Sequence, residues 1–282
     1  MQTPQRRRAV LIAPGSDERK ARKALASTAD EVVLDLEDAV TAAHKPAARD
    51  LACRLVHENA GARPVSIRVN ALGTPWGAAD LEACAELGSA LASVVLPMTE
   101  SVHDLVEADR ILAGTSIGVQ ALVETPLGIR DIGEITRATS RLQSVIIGYA
   151  DLGAALGRSP SALPEHWLAV QDAVLIAARA AGIQAVDGPF LGIADDERFR
   201  RAADWTSALG FDGKWVIHPT QVDSATTAFT PSDAAIEDAC RVLEALRVAE
   251  EDGAGAAQLD GQMLDEAVAV AARRVLAQVG GQ

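Results

Sequence analysis

Residues 31–38 read EVVLDLED and residues 116–125 read SIGVQALVET. Each is an apolar run that turns acidic at its C-terminal end. Such runs fit strands covered on both faces, as in a parallel sheet wrapped by helices. The pattern extends in both directions. Strand-like runs at 8–15, 31–38, 63–70, 92–98, 116–125, 142–150, 184–189 and 213–219 alternate with helix-like runs. The helical runs lie at 17–27, 44–58, 78–88, 101–113, 127–139, 164–182, 195–210 and 232–252. Eight strand–helix units in about 250 residues point to an α/β protein of the (β/α)8 TIM-barrel class. An open doubly wound sheet is the competing topology. Its usual mark, a G-x-G-x-x-G turn after the first strand, is absent; residues 13–20 read APGSDERK.

Residues 253–261 (GAGAAQLDG) interrupt the alternation, and a last helix is expected over 264–279. The expected division is therefore a barrel catalytic domain over 1–252, then a linker and an extra C-terminal helical segment over 253–282. That helix is one more than a barrel needs, and packs either on its own barrel or on a neighbouring subunit.

Composition narrows the function. The 282 residues carry 26 Lys and Arg against 39 Asp and Glu, a net charge of −13. A phosphate backbone needs a basic face, so nucleic acid is not an expected partner. The only basic run, Arg6 to Arg8, is too small for a nucleic-acid or membrane patch. No apolar run of 18 residues exists, so no membrane span is expected. The apolar run after those arginines, AVLIA, is too short for a secretory signal and reads as a first strand. Cys53, Cys84 and Cys240 are far apart, odd in number and set in helical patterns, which suits free thiols in a reducing cytoplasm.

In a barrel the chemistry lies at the C-terminal strand ends. Those ends carry Asp35, Glu37 and Asp38; Arg68 and Asn70; Glu124 and Thr125; then Asp151, Asp187 and His218. Taken singly, each has an ordinary reading as a helix cap, a loop residue or a strand closure. Asp265 alone reads as a helix N-terminal residue. Together, carboxylates around one barrel mouth need a counter-charge. Oxygen ligands without cysteine favour a hard ion, Mg²⁺ or Mn²⁺. Arg68 then suits a bidentate grip on a substrate carboxylate. The four lysines, Lys20, Lys23, Lys45 and Lys214, lie away from the C-terminal strand ends, which disfavours a Schiff-base mechanism.

The chain resembles the citrate lyase β subunit-like group of the HpcH/HpaI aldolase superfamily along nearly its whole length. The resemblance rests on APG (13–15), VVLDLEDAV with KPAAR (32–40, 45–49), IRVN (67–70), GTPW (73–76), LP (96–97) and ALVET (121–125). It continues in GYADLGAALG (148–157), LGFDGKWVIHPTQV (209–222), FTPS (229–232) and DGQMLDEAVAVAARRVLA (260–277). It implies an Mg²⁺-dependent carbon–carbon lyase of the oxo-acid type. Its substrate would be a 3-hydroxyacyl-CoA such as malyl-CoA or citramalyl-CoA, giving acetyl-CoA and a 2-keto acid.

By resemblance, Glu124 and Asp151 hold Mg²⁺, and Arg68 holds the keto-acid carboxylate. Glu37 and Asp38 lie beside the metal and orient its waters, with Asp35 and Thr125 at the substrate. Lys23 helps hold coenzyme A phosphates, with Pro14 and His218 as further coenzyme A contacts. Asp265 comes from a neighbouring subunit as the acid that protonates the acetyl-CoA enolate. A homo-oligomer, a trimer or hexamer, follows. The sequence departs from the family at Met98, where lysine is usual, at Ala150, where glutamate is frequent, and at Ser16, Asp17 and Glu18 in the first loop. Two other readings stand beside the lyase. One is a metal-dependent aldolase for free 2-keto acids, weakened because no histidine precedes His44. The other is a lyase β subunit that needs a partner or an acyl-carrier thioester.

Overall fold

The computed structural model describes residues 5–159, 161–251 and 253–279. Eight parallel strands close into a barrel in sequence order. They are β1 (Ala9–Pro14), β2 (Glu31–Asp35), β3 (Val65–Arg68), β4 (Ser93–Leu96), β5 (Gly118–Val123), β6 (Leu142–Ile147), β7 (Gln184–Asp187) and β8 (Gly213–Val216). β8 pairs back onto β1, with Val10 opposite Trp215. Helices α1 (Glu18–Leu25), α2 (Lys45–Glu58), α3 (Gly77–Glu86) and α4 (Val102–Ile111) follow the first four strands. The short pair α5 (Pro126–Arg130) and α6 (Ile132–Ile135) follows β5. Two helices, α7 (Tyr149–Ala155) and α8 (Leu168–Ala181), follow β6; α9 (Glu197–Leu209) follows β7 and α10 (Val222–Ala228) follows β8.

Strand alternation sorts the side chains. Successive residues point to opposite faces, so one set enters the lumen and the other meets the helices. The helix-facing set joins the main apolar core, with Leu11, Leu34, Ile67, Val94, Ala121 and Val145 among its fully buried members. The lumen holds three levels. At the base, Glu31 accepts from Arg7 Nε (2.7 Å), Ser66 Oγ (2.6 Å) and Gln120 Nε2 (2.6 Å). Arg7 also reaches Gln184 and Gln143. Above lies an apolar layer of Val10, Val33, Val95, Leu122, Ile146, Val186 and Trp215. At the C-terminal end stand Asp35, Arg68 and Glu124.

Arg7, from the basic run Arg6 to Arg8, is thus a buried ion-pair partner in the barrel base. Local caps match the sequence. Asp17 and Asp196 accept the third backbone N–H of α1 and α9, each at 2.9 Å. Gly182 closes α8 at φ 71°, a left-handed turn that glycine adopts without a Cβ clash.

The chain divides into two compact units. Residues 7–229 form the barrel; residues from Thr230 onward form a second unit with Gln5 and Arg6. The expected boundary at 252/253 thus falls earlier. The helical run at 232–252 is α11 (Asp233–Glu251), which packs in the second unit against α12 (Glu266–Val279). The eighth barrel helix is instead the short α10, whose polar sequence VDSATTA hides its two buried contacts, Val222 and Ala225. The glycine-rich stretch 253–261, read as a linker, supplies the first strand and turn of a hairpin, β9 (Ala257–Leu259) antiparallel to β10 (Gln262–Leu264). Within this unit Ala239, Val242, Leu264 and Ala272 make a small core of their own.

Candidate active site

A cavity of about 420 Å³ opens at the C-terminal end of the barrel. Its polar lining includes Asp35, Asp38, Arg68, Glu124 and Asp151, and its apolar lining includes Ile12, Leu122, Tyr149 and Trp215.

Arg68 ends β3 and is only 8% exposed. Its Nε and Nη2 form a fork on Asp35, at 2.6 and 2.8 Å. Asp35 is fully engaged, because its two oxygens also accept the backbone N–H groups of Glu37 (2.9 Å) and Ala39 (3.0 Å). Asp35 is therefore a positioning group for Arg68 and for the acidic loop after β2, not a free substrate ligand. The remaining guanidinium nitrogen, Nη1, lies 2.8 Å from Glu37 Oε2 and 3.5 Å from Asp38. Asp38 is 72% exposed. Glu37 Oε2 is sealed from solvent without a well-aligned hydrogen bond. Burial pushes the Glu37 carboxyl up to about 8, against the pull of Arg68 and with the repulsion of Asp38, Glu124 and Asp35.

Glu124 follows β5 on the lumen side and is 3% exposed. Its Oε1 accepts the Met98 backbone N–H at 2.8 Å. Met98 holds that N–H in place from a left-handed conformation, φ 50°. Burial pushes the Glu124 carboxyl up to about 7, with Asp151 adding repulsion. Gly148 makes room for it: a Cβ there would stand 2.4 Å from Glu124 Oε2. Asp151, in the first turn of α7, is exposed to the cavity. Two carboxylates with free oxygens suit an ion such as Mg²⁺, which takes one or two protein carboxylates and keeps waters and substrate oxygens for the rest. Among the described residues no group of three or more His, Cys, Asp and Glu could form an all-protein cage.

The loop carrying Glu37 and Asp38 is pinned from behind. Lys45 Nζ donates to the carbonyls of Leu36 and Glu37, each at 3.0 Å, and to Asn70 Oδ1. Asn70 Nδ2 donates to Asp80 at 2.6 Å, and Asp80 also pairs with Arg49. This buried chain explains why LDLED, KPAAR and IRVN occur together.

Other expected site residues have local tasks. Thr125 Oγ1 accepts Gly128 N at 3.1 Å and caps α5. His218 Nδ1 accepts Thr220 N at 3.3 Å and caps the turn Pro219–Gln221. Neither lines the cavity; Pro14 does. Lys23 is exposed on α1. Asp187, expected among the mouth acids, instead points into the sheet–helix layer, paired with Lys214. Asp265 lies in the second unit, where its Oδ1 accepts Ala267 N at 3.0 Å and caps α12.

Residues 8–219 match the HpcH/HpaI aldolase/citrate lyase family. The chain belongs to this family. The L-malyl-CoA/beta-methylmalyl-CoA lyase of Rhodobacter capsulatus is 34% identical, over 92% of this chain and 90% of its own. A (3S)-malyl-CoA thioesterase of Cereibacter sphaeroides is 38% identical, over 96% and 94%. Among solved structures, the Mycobacterium tuberculosis protein CitE in complex with magnesium, acetoacetate and coenzyme A superposes with a TM-score of 0.79. It is 35% identical, with 96% of this chain and 97% of that chain covered. HpcH/HpaI membership agrees with the closed barrel and its acid-rich mouth. Among the described residues no helix is long and apolar enough to cross a membrane.

Proposed function

We propose that this HpcH/HpaI family member is an Mg²⁺-dependent carbon–carbon lyase acting on a 3-hydroxyacyl-CoA of the malyl-CoA type, yielding acetyl-CoA and a 2-keto acid. The observation that carries the reading is the mouth itself: one arginine, already forked on Asp35, stands with Asp38, Glu124 and Asp151 in one cavity, with Glu37 on its third nitrogen just behind the lining, and burial raises the proton affinity of Glu37 and Glu124. Strongly perturbed acids beside a charge partner in a cleft mark a reaction centre.

In this reading Glu124 and Asp151 hold the ion, which when bound polarises the oxygen of the keto-acid fragment as a Lewis acid. Arg68 Nη1 takes a substrate carboxylate oxygen, while Asp35 fixes the guanidinium plane. Glu37 and Asp38 orient water beside that nitrogen. The substrate hydroxyl passes its proton to the water that Glu37 and Asp38 orient as the C–C bond breaks, and the bonding pair passes to the thioester enolate. Asp265 of a neighbouring subunit returns a proton to that carbon, which requires a homo-oligomer, a trimer or hexamer. Lys23, exposed on α1, remains the residue assigned to the coenzyme A phosphates, and Pro14 to the mouth contact.

A second reading has one specific support, the 38% identity to the malyl-CoA thioesterase. There the same groups would hold malyl-CoA while water attacks the thioester carbonyl. Product analysis separates the two. Purified protein is given malyl-CoA and citramalyl-CoA with Mg²⁺, then with EDTA. EDTA-sensitive formation of acetyl-CoA with glyoxylate or pyruvate supports the lyase. Free coenzyme A with malate supports the thioesterase. Turnover of free 4-hydroxy-2-keto acids alone moves the protein to the aldolase branch.

A further inference from the structure

We infer that Tyr149, Asp187 and Lys214 form a buried brace behind Asp151, which makes Tyr149 a positioning residue for the metal site; this rests on the assignment of Glu124 and Asp151 as ligands.

β6 ends at Ile147, and Asp151 follows within the first turn of α7. Among the described residues the Asp151 side chain has no hydrogen-bond partner, so its place is set by the backbone that leads to it. The first side-chain anchor upstream is the Tyr149 hydroxyl, which donates to Asp187 Oδ1 at 2.6 Å. The same hydroxyl accepts Gln171 Nε2 at 2.9 Å, and Gln171 Oε1 accepts Trp205 Nε1 at 2.9 Å. Asp187 Oδ2 accepts from Lys214 Nζ and from Thr206 Oγ1 (3.1 Å). Lys214 Nζ also donates to the Gly188 carbonyl at 2.8 Å.

Space is as tight as the bonding. A Cβ on Gly188 would stand 1.9 Å from the Ile147 carbonyl oxygen and 2.9 Å from Tyr149 Cδ2. A Cβ on Gly148 would collide with Glu124. The strand end that delivers Asp151 is thus wedged between Glu124 on the lumen side and Asp187–Gly188 on the other. The Tyr149 ring lines the cavity and packs edge-on against Trp167, centroids 4.8 Å apart.

The chemistry of the brace argues for a task beyond holding the fold. The layer between sheet and helices is otherwise built mainly of aliphatic side chains. An ion pair placed in it is no more stabilising than apolar packing of similar volume. What it supplies is direction, because Lys214 and Thr206 hold Asp187 Oδ2 and leave Oδ1 as an oriented acceptor for the Tyr149 hydroxyl. Partners of this kind hold metal ligands in place, and their loss typically weakens metal binding by 10–100-fold.

The test is an Mn²⁺ titration of the full-length protein, read by the EPR signal of the free ion. Wild type, Asp151→Asn, Tyr149→Phe, Trp205→Phe and Leu112→Ala are compared, each with its thermal midpoint. Tyr149→Phe keeps the ring and loses the bond to Asp187; its Mn²⁺ affinity is expected to fall roughly 10-fold or more. Trp205→Phe, two links out, is expected to lose about threefold on the same scale. Leu112→Ala, a fully buried truncation outside the brace, is expected to lower the midpoint and leave Mn²⁺ affinity unchanged. The inference is overturned if Tyr149→Phe and Trp205→Phe bind like wild type, or if Leu112→Ala loses as much as they do. Should Tyr149→Phe not fold, Trp205→Phe decides alone. Wild type that binds no Mn²⁺, or Asp151→Asn that binds it fully, overturns the ligand assignment, and the brace with it.

Discussion

The two ends of the barrel lumen each bury glutamate and arginine, and they treat them in opposite ways. At the base, Glu31 is met by Arg7, Ser66 and Gln120, and Arg7 is shared with two glutamines. At the mouth, Arg68 faces Asp35, Glu37 and Asp38, and Glu37 Oε2 is left without an aligned donor. The base is a closed account of donors and acceptors. At the mouth, burial first and the neighbouring carboxylates second raise the proton affinity of Glu37 and Glu124. In a barrel fold, satisfied polar groups at the N-terminal face serve stability, and frustrated ones at the C-terminal face serve chemistry.

Four experiments break or sharpen that contrast. The largest effect is expected from Glu124→Gln, which should lower turnover on the order of 10³-fold and abolish Mg²⁺ binding. The thermal midpoint should hold or rise, because an uncomfortable carboxylate is removed. A substantial drop in midpoint would put Glu124 on the structural side. At the base, Glu31→Ala should cost about 3–5 kcal/mol in urea denaturation, since Arg7 keeps its two glutamines but is left buried without its counter-charge. A loss under about 1 kcal/mol would mean that the base network contributes little to stability.

Arg68→Lys comes next. A point charge cannot fork on Asp35 and still offer a third nitrogen, so affinity for the keto acid should fall roughly 10²-fold. Unchanged affinity would remove Arg68 from the substrate side.

The smallest effect is on pH. Glu37 and Glu124 bind protons more tightly folded than unfolded, so the folded state holds more protons between about 4.5 and 8. Stability of the metal-free protein should therefore fall as pH rises through that range, by a few degrees in midpoint. Saturating Mg²⁺ should flatten the fall. A metal-free midpoint that rises from pH 5 to 8 would contradict the raised proton affinity.

Much of the site was legible because period-two alternation carries it. Gln120, Leu122 and Glu124 share one face of β5, and Asp35 and Arg68 end adjacent strands in register. The rest was hidden for physical reasons. β7 is four residues long and reads QAVD; Ala185 and Val186 are both fully buried, so hydrophobicity does not say which face Asp187 takes. Only the fold turns it outward to Lys214. Thr125 precedes Pro126, and that dipeptide reads equally as a strand end or a helix start; capping decides it. The division at Phe229 was missed because α10 is short and polar, while α11 is long and regular.

The left-handed backbone at Met98 has a consequence for protein engineering. Glu124 is held there by a main-chain N–H, which every residue except proline carries. The side chain, 41% exposed, takes no part in that bond. Position 98 is therefore a place where charge and size can be varied in a library without rewiring the acid beside it. Glycine would relax the turn, asparagine would tolerate it, and lysine would add a cation near the entrance.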